Sequence, residues 1–370
     1  MENRVKMIQR TSIIAIIVNV ALGIFKALVG VISNSIAITM DAINNFTDAA
    51  SSLITILSSH FAAKDADKKH PFGYGRMEYL GTLLIGGLIL YAGVTSFVES
   101  VKKIIHPEIA EYSTVSLVII IVAVVVKALL TLYFSKMGKK AKSDSLLASA
   151  KESVGDIAIS IATVVAAMIY IFAGFSIEAW LGAIIAVLIV KAGFEILKET
   201  IGKLLGEGAD AALVRDIKAA IKEHEEVTGA YDLVLHNYGP DAYMASVHVE
   251  VEDTLPISRF DGLTREIQND IVQKFGVYLT AVGVYSVNTE DEKKIAIREN
   301  VRAIAVEEPY VTQMHGFYMD EQKKYMRFDL VISFDAGDRK KVHAAVVKKI
   351  SEKYPDYAVY AGMDADYNEI

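Results

Sequence analysis

The chain has 370 residues, is 53% hydrophobic, and carries 45 Asp+Glu against 38 Lys+Arg for a net charge of −7. That is too apolar and too long for one soluble domain, and the acidic balance lacks the basic footprint of a nucleic-acid partner. With no cysteine, disulfides, cysteine nucleophiles and thiolate-held zinc or copper are all excluded.

In chain order, the amino-terminal tail carries Arg4, Lys6 and Arg10, and an apolar run then continues from near Thr11 to about Val31. It exceeds the core of a cleaved signal peptide and is long enough to span a bilayer, so it reads as a retained first helix. Apolar runs predict helices over about 11–33, 35–60, 79–104, 113–136, 145–173 and 178–200. Gly23, Gly30, Gly86, Gly87 and Gly182 suit close helix packing in lipid. Cations gather in the tail, between the second and third helices (Lys64, Lys68, Lys69, Arg76) and between the fourth and fifth (Lys136, Lys139, Lys140, Lys142). The turns Ser33-Asn34-Ser35 and Gly174-Phe175-Ser176 hold none, and the segment from His106 to Ser113 holds Glu108 and Glu111. The positive-inside rule then puts both termini in the cytoplasm, in agreement with an even helix count.

Two motifs interrupt the apolar runs: Asn44-Asn45-Phe46-Thr47-Asp48 and Glu152-Ser153-Val154-Gly155-Asp156. Each places two oxygen-bearing side chains four residues apart, on one helix face. Carboxylates inside a membrane span are costly and normally mark an ion or proton path. Two such pairs on two helices can together form a four-oxygen cation site, with Asn45 the rival of Asn44 and Asp41 suited to ion delivery. Lys127 and Lys191, within apolar runs, either snorkel to an interface or pair with a carboxylate. His60 reads as an interfacial residue, while His106 and His315 show no partner in the sequence and receive no role.

From Ala209 the pattern becomes α+β. A helix is expected over 211–224, strands over 231–236 and 243–251 around Gly239-Pro240, a helix over 258–275 and a strand over 277–287. The same αββαβ order follows at 295–307, 311–319, 325–334, 338–353 and 356–361, which predicts a duplication despite low residue identity. On a regular strand His236 would face away from Tyr231. The expected fold is thus an α-helical membrane protein: six transmembrane helices (1–208), a cytoplasmic ferredoxin-like αββαβ domain (209–290) and a second, repeated α+β domain (291–370).

The string His70-Pro71-Phe72-Gly73-Tyr74-Gly75-Arg76-Met77-Glu78, with the two four-spaced pairs, resembles the cation diffusion facilitator family. Gly229-Ala230-Tyr231-Asp232-Leu233 and Val247-His248-Val249-Glu250-Val251 extend the likeness, which covers roughly residues 5–290; residues 291–370 fall outside the family's usual plan. The resemblance implies a homodimer that exports divalent metal ions from the cytoplasm in exchange for protons, and no enzyme. It places the transport ligands at Asn44, Asp48, Glu152 and Asp156. Zinc-transporting members often carry histidine or aspartate at the first position of each pair, whereas Asn44 is similar to the manganese-type members and Glu152 departs from them. An all-oxygen set suits Mn²⁺ as the transported ion, with Fe²⁺, Zn²⁺ or Cd²⁺ as alternatives. In the tail, Tyr231, Asp261 and Tyr285 stand where histidine is common, and Tyr74 replaces another. A secondary metal set is thereby reduced to Asp67, His70, His248 and Asp261. Arg76 is implied to hold a dimer salt bridge, with Glu207 or Asp210 as partner. Rival readings are a passive channel and a membrane-anchored metal sensor or scaffold. Cation-rich loops and no targeting segment point to a prokaryotic plasma membrane.

Overall fold

A computed structural model describes residues 2–32, 36–106, 114–173, 177–240 and 242–364. Residues 33–35, 107–113 and 174–176, where the sequence predicts connections between helices, lie outside the described residues, as do the side chains of Asp41 and Asn44. The chain divides into two compact units, residues 1–207 with 238–241, and residues 208–237 with 242–370.

Six long helices make the first unit: α1 (Glu2–Ile32), α2 (Ile36–Ala62), α3 (Met77–Ile105), α4 (Thr114–Ala141), α5 (Asp144–Ala173) and α6 (Glu178–Leu205). Helix α1 starts well ahead of the expected position because its charged first turns also find partners. Arg4 donates from Nε to the Ala141 carbonyl at 2.7 Å and from Nη2 to the buried Glu78 carboxylate at 2.8 Å, tying three helix ends together. Among the described residues, four segments are long and apolar enough to cross a membrane: Asn3–Leu28, Met77–Ile105, Ile121–Ala141 and Ala179–Leu205. Helices α2 and α5, parts of which have side chains outside the described residues, are not in this set. Ile17, Leu28, Leu84, Tyr91, Leu132 and Leu188 lie exposed on the outer faces, a distribution that suits lipid as solvent.

Helix α3 packs along α6, α1 along α2 and α4 along α5. Small residues set the α3–α6 spacing. A Cβ on Gly193 would fall 2.9 Å from the Leu90 backbone nitrogen, and one on Gly93 would fall 2.9 Å from that of Val190. In lipid, where burial gives little drive, such close approach supplies the packing energy. Helix α6 stops at Gly206, whose φ of +92° favours glycine.

The second unit repeats one order twice. α7 (Ala211–Ile221), β1 (Gly229–Asn237), β2 (Tyr243–Glu252), α8 (Ile257–Phe275) and β3 (Val277–Val287) are followed by α9 (Glu292–Val306), β4 (Val311–Asp320), β5 (Tyr325–Ile332), α10 (Arg339–Lys353) and β6 (Ala358–Asp364). Asp210, Asp291 and Asp338 cap α7, α9 and α10 by accepting from backbone amides of the first turn. In each repeat the middle strand pairs antiparallel with the first and parallel with the third. Alternate strand residues face a helix layer: Val247, Val249 and Val251 meet Ile217, Ile221, Leu263 and Ile267 in the first core. Phe328, Leu330 and Ile332 meet Val301, Val346 and Ile350 in the second.

The two sheets also agree in their irregularities. Pairing steps from Tyr231↔His248 to Val234↔Ser246 in one, and from His315↔Asp329 to Tyr318↔Arg327 in the other, so each first strand bulges at the same place. Inside the bulges Asp232 and Gly316 have φ of +53° and +64°. On the third strands Gly283 lies beside His248 and Gly362 beside Asp329, and each glycine leaves room for that neighbour's side chain. The register therefore equates Tyr231 with His315, His248 with Asp329 and Tyr285 with Asp364. This strand-by-strand agreement supports a repeat far better than element order does. The bulge also corrects one expectation: it returns His236 to the face of Tyr231, because both pair with residues on the same side of β2.

Candidate metal site

Helices α2, α4 and α5 bring three charged side chains together inside the first unit. Lys127 of α4 donates from Nζ to Asp48 Oδ2 of α2 at 2.7 Å and to Asp156 Oδ2 of α5 at 2.6 Å. The Lys127 and Asp48 side chains are 5% and 9% exposed, so this is a buried bridge of one ammonium between two carboxylates. One helical turn before Asp156, Glu152 accepts a hydrogen bond at 3.1 Å from Ser51 of α2. Three carboxylates, two of them four residues apart on α5, thus line one seam between α2 and α5. Their spacing follows from helix geometry, and Gly155 leaves room for Ile189 of α6 behind them. The backbone of Asn44 belongs to α2, four residues before Asp48, while Asn45 is fully buried. Lys26 of α1 is buried as well.

Removing either aspartate would leave a buried ammonium half-compensated, and removing the lysine would leave two carboxylates to repel each other. A divalent ion with oxygen preference is the chemical replacement for that ammonium: it brings two positive charges to the position where the carboxylates already converge. The cation in this geometry is a lysine, and the pairing of Lys127 with a carboxylate, one of two options in the sequence, is the one observed.

The secondary set splits up. Asp67 and His70 stay together in the loop before α3, with His70 Nδ1 3.4 Å from Asp67 Oδ1. Asp67 is already engaged, accepting from Tyr74 Oη at 2.7 Å and from the backbone amides of Lys69 and His70 at 2.9 and 2.8 Å. The Tyr74 hydrogen bond first, then those amides, hold its carboxyl well below the usual range. His248 lies on the helix-free face of its sheet, whereas Asp261 is on α8, which covers the other face, and pairs with Arg265 at 3.1 Å. The structure therefore does not bring His248 and Asp261 together. Arg76 lies over the Tyr238 ring at 4.9 Å, and Asp210 caps α7.

His248 instead meets residues that sequence reasoning passed over. Its Nδ1 is 2.9 Å from Asp232 Oδ2, and Asp232 Oδ1 is 2.8 Å from Nε2 of His315 in the second repeat. Burial raises the Asp232 carboxyl, but His248, His315, Asp364 and Tyr285 outweigh it and hold the group well below its ordinary value. Asp232 in turn lifts the His248 imidazole above its usual range. His315, given no role from the sequence, is 3% exposed and among the most enclosed polar residues of the tail. The signal that finds it is the alignment of the two bulges, which needs the strand register.

Residues 12–205 match the cation efflux transmembrane domain and residues 209–282 match the cation efflux protein cytoplasmic domain. An uncharacterized transporter of Methanocaldococcus jannaschii is 28% identical over 71% of this chain and 92% of its own length. The manganese efflux system protein MneP of Bacillus subtilis is 26% identical over 72% of this chain and 92% of its own. A cadmium, cobalt and zinc/H(+)-K(+) antiporter of Bacillus velezensis is 27% identical over 70% and 82%. With more than half of its length matched across both domains, and with paired carboxylates gathered on one cation between its polar helices, the chain belongs to the cation efflux family of membrane transporters, the cation diffusion facilitators.

Proposed function

We propose that this protein exports divalent metal ions, Mn²⁺ foremost, from the cytoplasm in exchange for protons, using Asn44, Asp48, Glu152 and Asp156 as the transport ligands. The observation that carries the reading is the convergence of Asp48 and Asp156, from α2 and α5, on one cation at 2.7 and 2.6 Å. In this reading all six long helices cross the plasma membrane, both termini are cytoplasmic, and the protein works as a homodimer. The names of two relatives supply manganese and the cadmium, cobalt and zinc group as the metals to compare. An all-oxygen donor set favours Mn²⁺ among them by ligand type, although the general affinity order runs toward Zn²⁺.

Lys127 fits this reading as a tethered stand-in cation. With no metal bound, its ammonium keeps the aspartates compensated in a medium where unpaired charge is costly. An entering ion must displace it, and Glu152 with Asn44 then completes the coordination. Release follows when protons arriving from outside take the carboxylates, since metal binding requires deprotonated ligands; those protons then leave to the cytoplasm and Lys127 pairs with the aspartates again. The lysine thereby prevents the empty site from collapsing into a tight trap for the next ion.

The test is uptake of Mn²⁺, Fe²⁺ and Zn²⁺ into proteoliposomes under an imposed pH gradient, wild type beside Asp48→Ala. Proton-driven Mn²⁺ flux that disappears in the variant is the expected result. Preferred Zn²⁺ flux would overturn the metal assignment and keep the site. Undiminished flux in Asp48→Ala would overturn the site.

A further inference from the structure

The helix-free faces of the two tail sheets carry a cluster that the transport reading does not use. Asp232 and His248 come from the first repeat, His315, Asp329 and Asp364 from the second, with Tyr231 and Tyr285 among them. One donor atom each from Asp232, His315 and Asp364 lie within 4.8 Å of one another. His315 Nε2 is 2.8 Å from Asp232 Oδ1 and 3.9 Å from Asp364 Oδ2. We propose that Asp232, His315 and Asp364, with His248 alongside, form a divalent transition-metal site that joins the two αββαβ repeats of one chain.

Three features carry this beyond a cluster of acids. The His315 side chain is 1% exposed, yet neither ring nitrogen makes a hydrogen bond among the described residues. Asp232 Oδ1 and His248 Nδ1 are likewise buried without one, despite their short approaches to imidazole and carboxylate. A carboxylate and an imidazole that approach closely without hydrogen-bond alignment are arranged as two donors facing a common point. Metal–ligand bonds of about 2.1 Å give neighbouring donors roughly 3.0–3.4 Å apart in octahedral or tetrahedral geometry. The observed 2.8 and 3.9 Å bracket that spacing.

The surroundings hold these donors in place. Tyr285 Oη donates to Asp232 Oδ2 at 2.6 Å and reaches Asp329 Oδ2 at 3.4 Å, which leaves Oδ1 of Asp232 for an ion. The Tyr231 ring stacks on His315 with centroids 4.8 Å apart and planes 5° apart, fixing the imidazole's orientation. The main chain of Asp364 is pinned where Arg339 donates to its carbonyl at 2.6 Å. Such outer partners are what a metal site needs to orient its ligands. Three aspartates near one point also require positive charge, and two carboxylates with one or two imidazoles make a mixed N/O set suited to Zn²⁺, Mn²⁺, Fe²⁺ or Co²⁺. Because the ligands come from both repeats, the ion acts as a staple between them.

The experiment uses full-length protein in detergent, stripped with EDTA and dialysed against Zn²⁺ or Mn²⁺. Wild type, Asp48→Asn/Asp156→Asn, His315→Gln and Asp364→Asn are compared for metal bound per chain. The tail site should survive in the membrane-site double variant. It should be lost or weakened in His315→Gln and Asp364→Asn, by more than the roughly 10–100-fold that removing an outer partner costs. Metal should raise the melting temperature of Asp48→Asn/Asp156→Asn, and should cease to do so once His315→Gln is added. Unchanged metal content and unchanged melting in both tail variants would overturn the proposal. If His315→Gln melts early in EDTA, Asp364→Asn at the end of β6 decides alone. Transport residues are untouched in the tail variants, so this proposal and the transport reading fail separately.

Discussion

The membrane seam and the tail cluster solve one problem in opposite ways. Both gather aspartates where water is scarce, and both set nitrogen groups of the chain itself against them. In the seam the group is the Lys127 ammonium, which makes two aligned hydrogen bonds at 2.7 and 2.6 Å. In the tail it is imidazole, which approaches the carboxylates at 2.8–2.9 Å without hydrogen-bond alignment. An ammonium is a donor only and cannot ligate a metal while charged, so it has to leave when metal arrives. A neutral imidazole offers a lone pair and can stay. On the two proposals above, the difference teaches that the seam is suited to turnover, with a competitor in place, and the tail cluster to retention.

The comparison is broken most decisively by removing an aspartate from the seam. Asp156→Ala should lower proton-driven metal flux by at least about 100-fold, as expected when an ion site loses a charged ligand, while leaving tail metal binding intact. Flux measured in proteoliposomes beside metal content in detergent checks both halves. Next in size is a packing change that touches neither cluster. Gly193→Leu, at the close α3–α6 approach, should destabilise the membrane unit by about 1–3 kcal/mol through overpacking. A thermal melt in detergent reads it, and a neutral result would show that α3 and α6 are free to separate. A third change perturbs the tail without altering charge. Gly283→Ala places a methyl where the His248 ring lies, so tail metal affinity should fall while transport persists. Dialysis against Zn²⁺ measures the affinity. The smallest effect belongs to Asp67→Asn, whose carboxylate is spent on its own loop; flux should stay within about twofold of wild type.

Much of this was legible in the residues. Helix positions follow from long apolar runs, and both αββαβ orders follow from alternation against a helix layer, as in Val247, Val249 and Val251. The four-residue spacing of Glu152 and Asp156 announces a shared helix face, whatever packs against it. What the sequence withholds is partnership across helices. Lys127 in an apolar run signals a buried charge, but only packing of α4 against α2 and α5 shows that both aspartates share it. The tail cluster was less legible still. It depends on a one-residue bulge that turns Asp232 to φ +53° and shifts every later residue of β1 to the other face. That displacement has no motif, so neither the face His236 takes nor the carboxylate beside His315 could be read from the sequence. Asp261 and His248 read as one set because sequence distance does not say which face of a sheet a helix covers.

The most direct measurement is the Mn²⁺ affinity of Lys127→Met against wild type, in purified full-length protein in detergent. If Lys127 is the cation that metal must displace, the variant binds Mn²⁺ at least about tenfold more tightly, since a competing unit charge at contact distance has been removed. Unchanged or weaker binding, in protein that melts normally, would contradict the account: Lys127 would then be a structural counter-ion, and the aspartates it joins would not be the transport site.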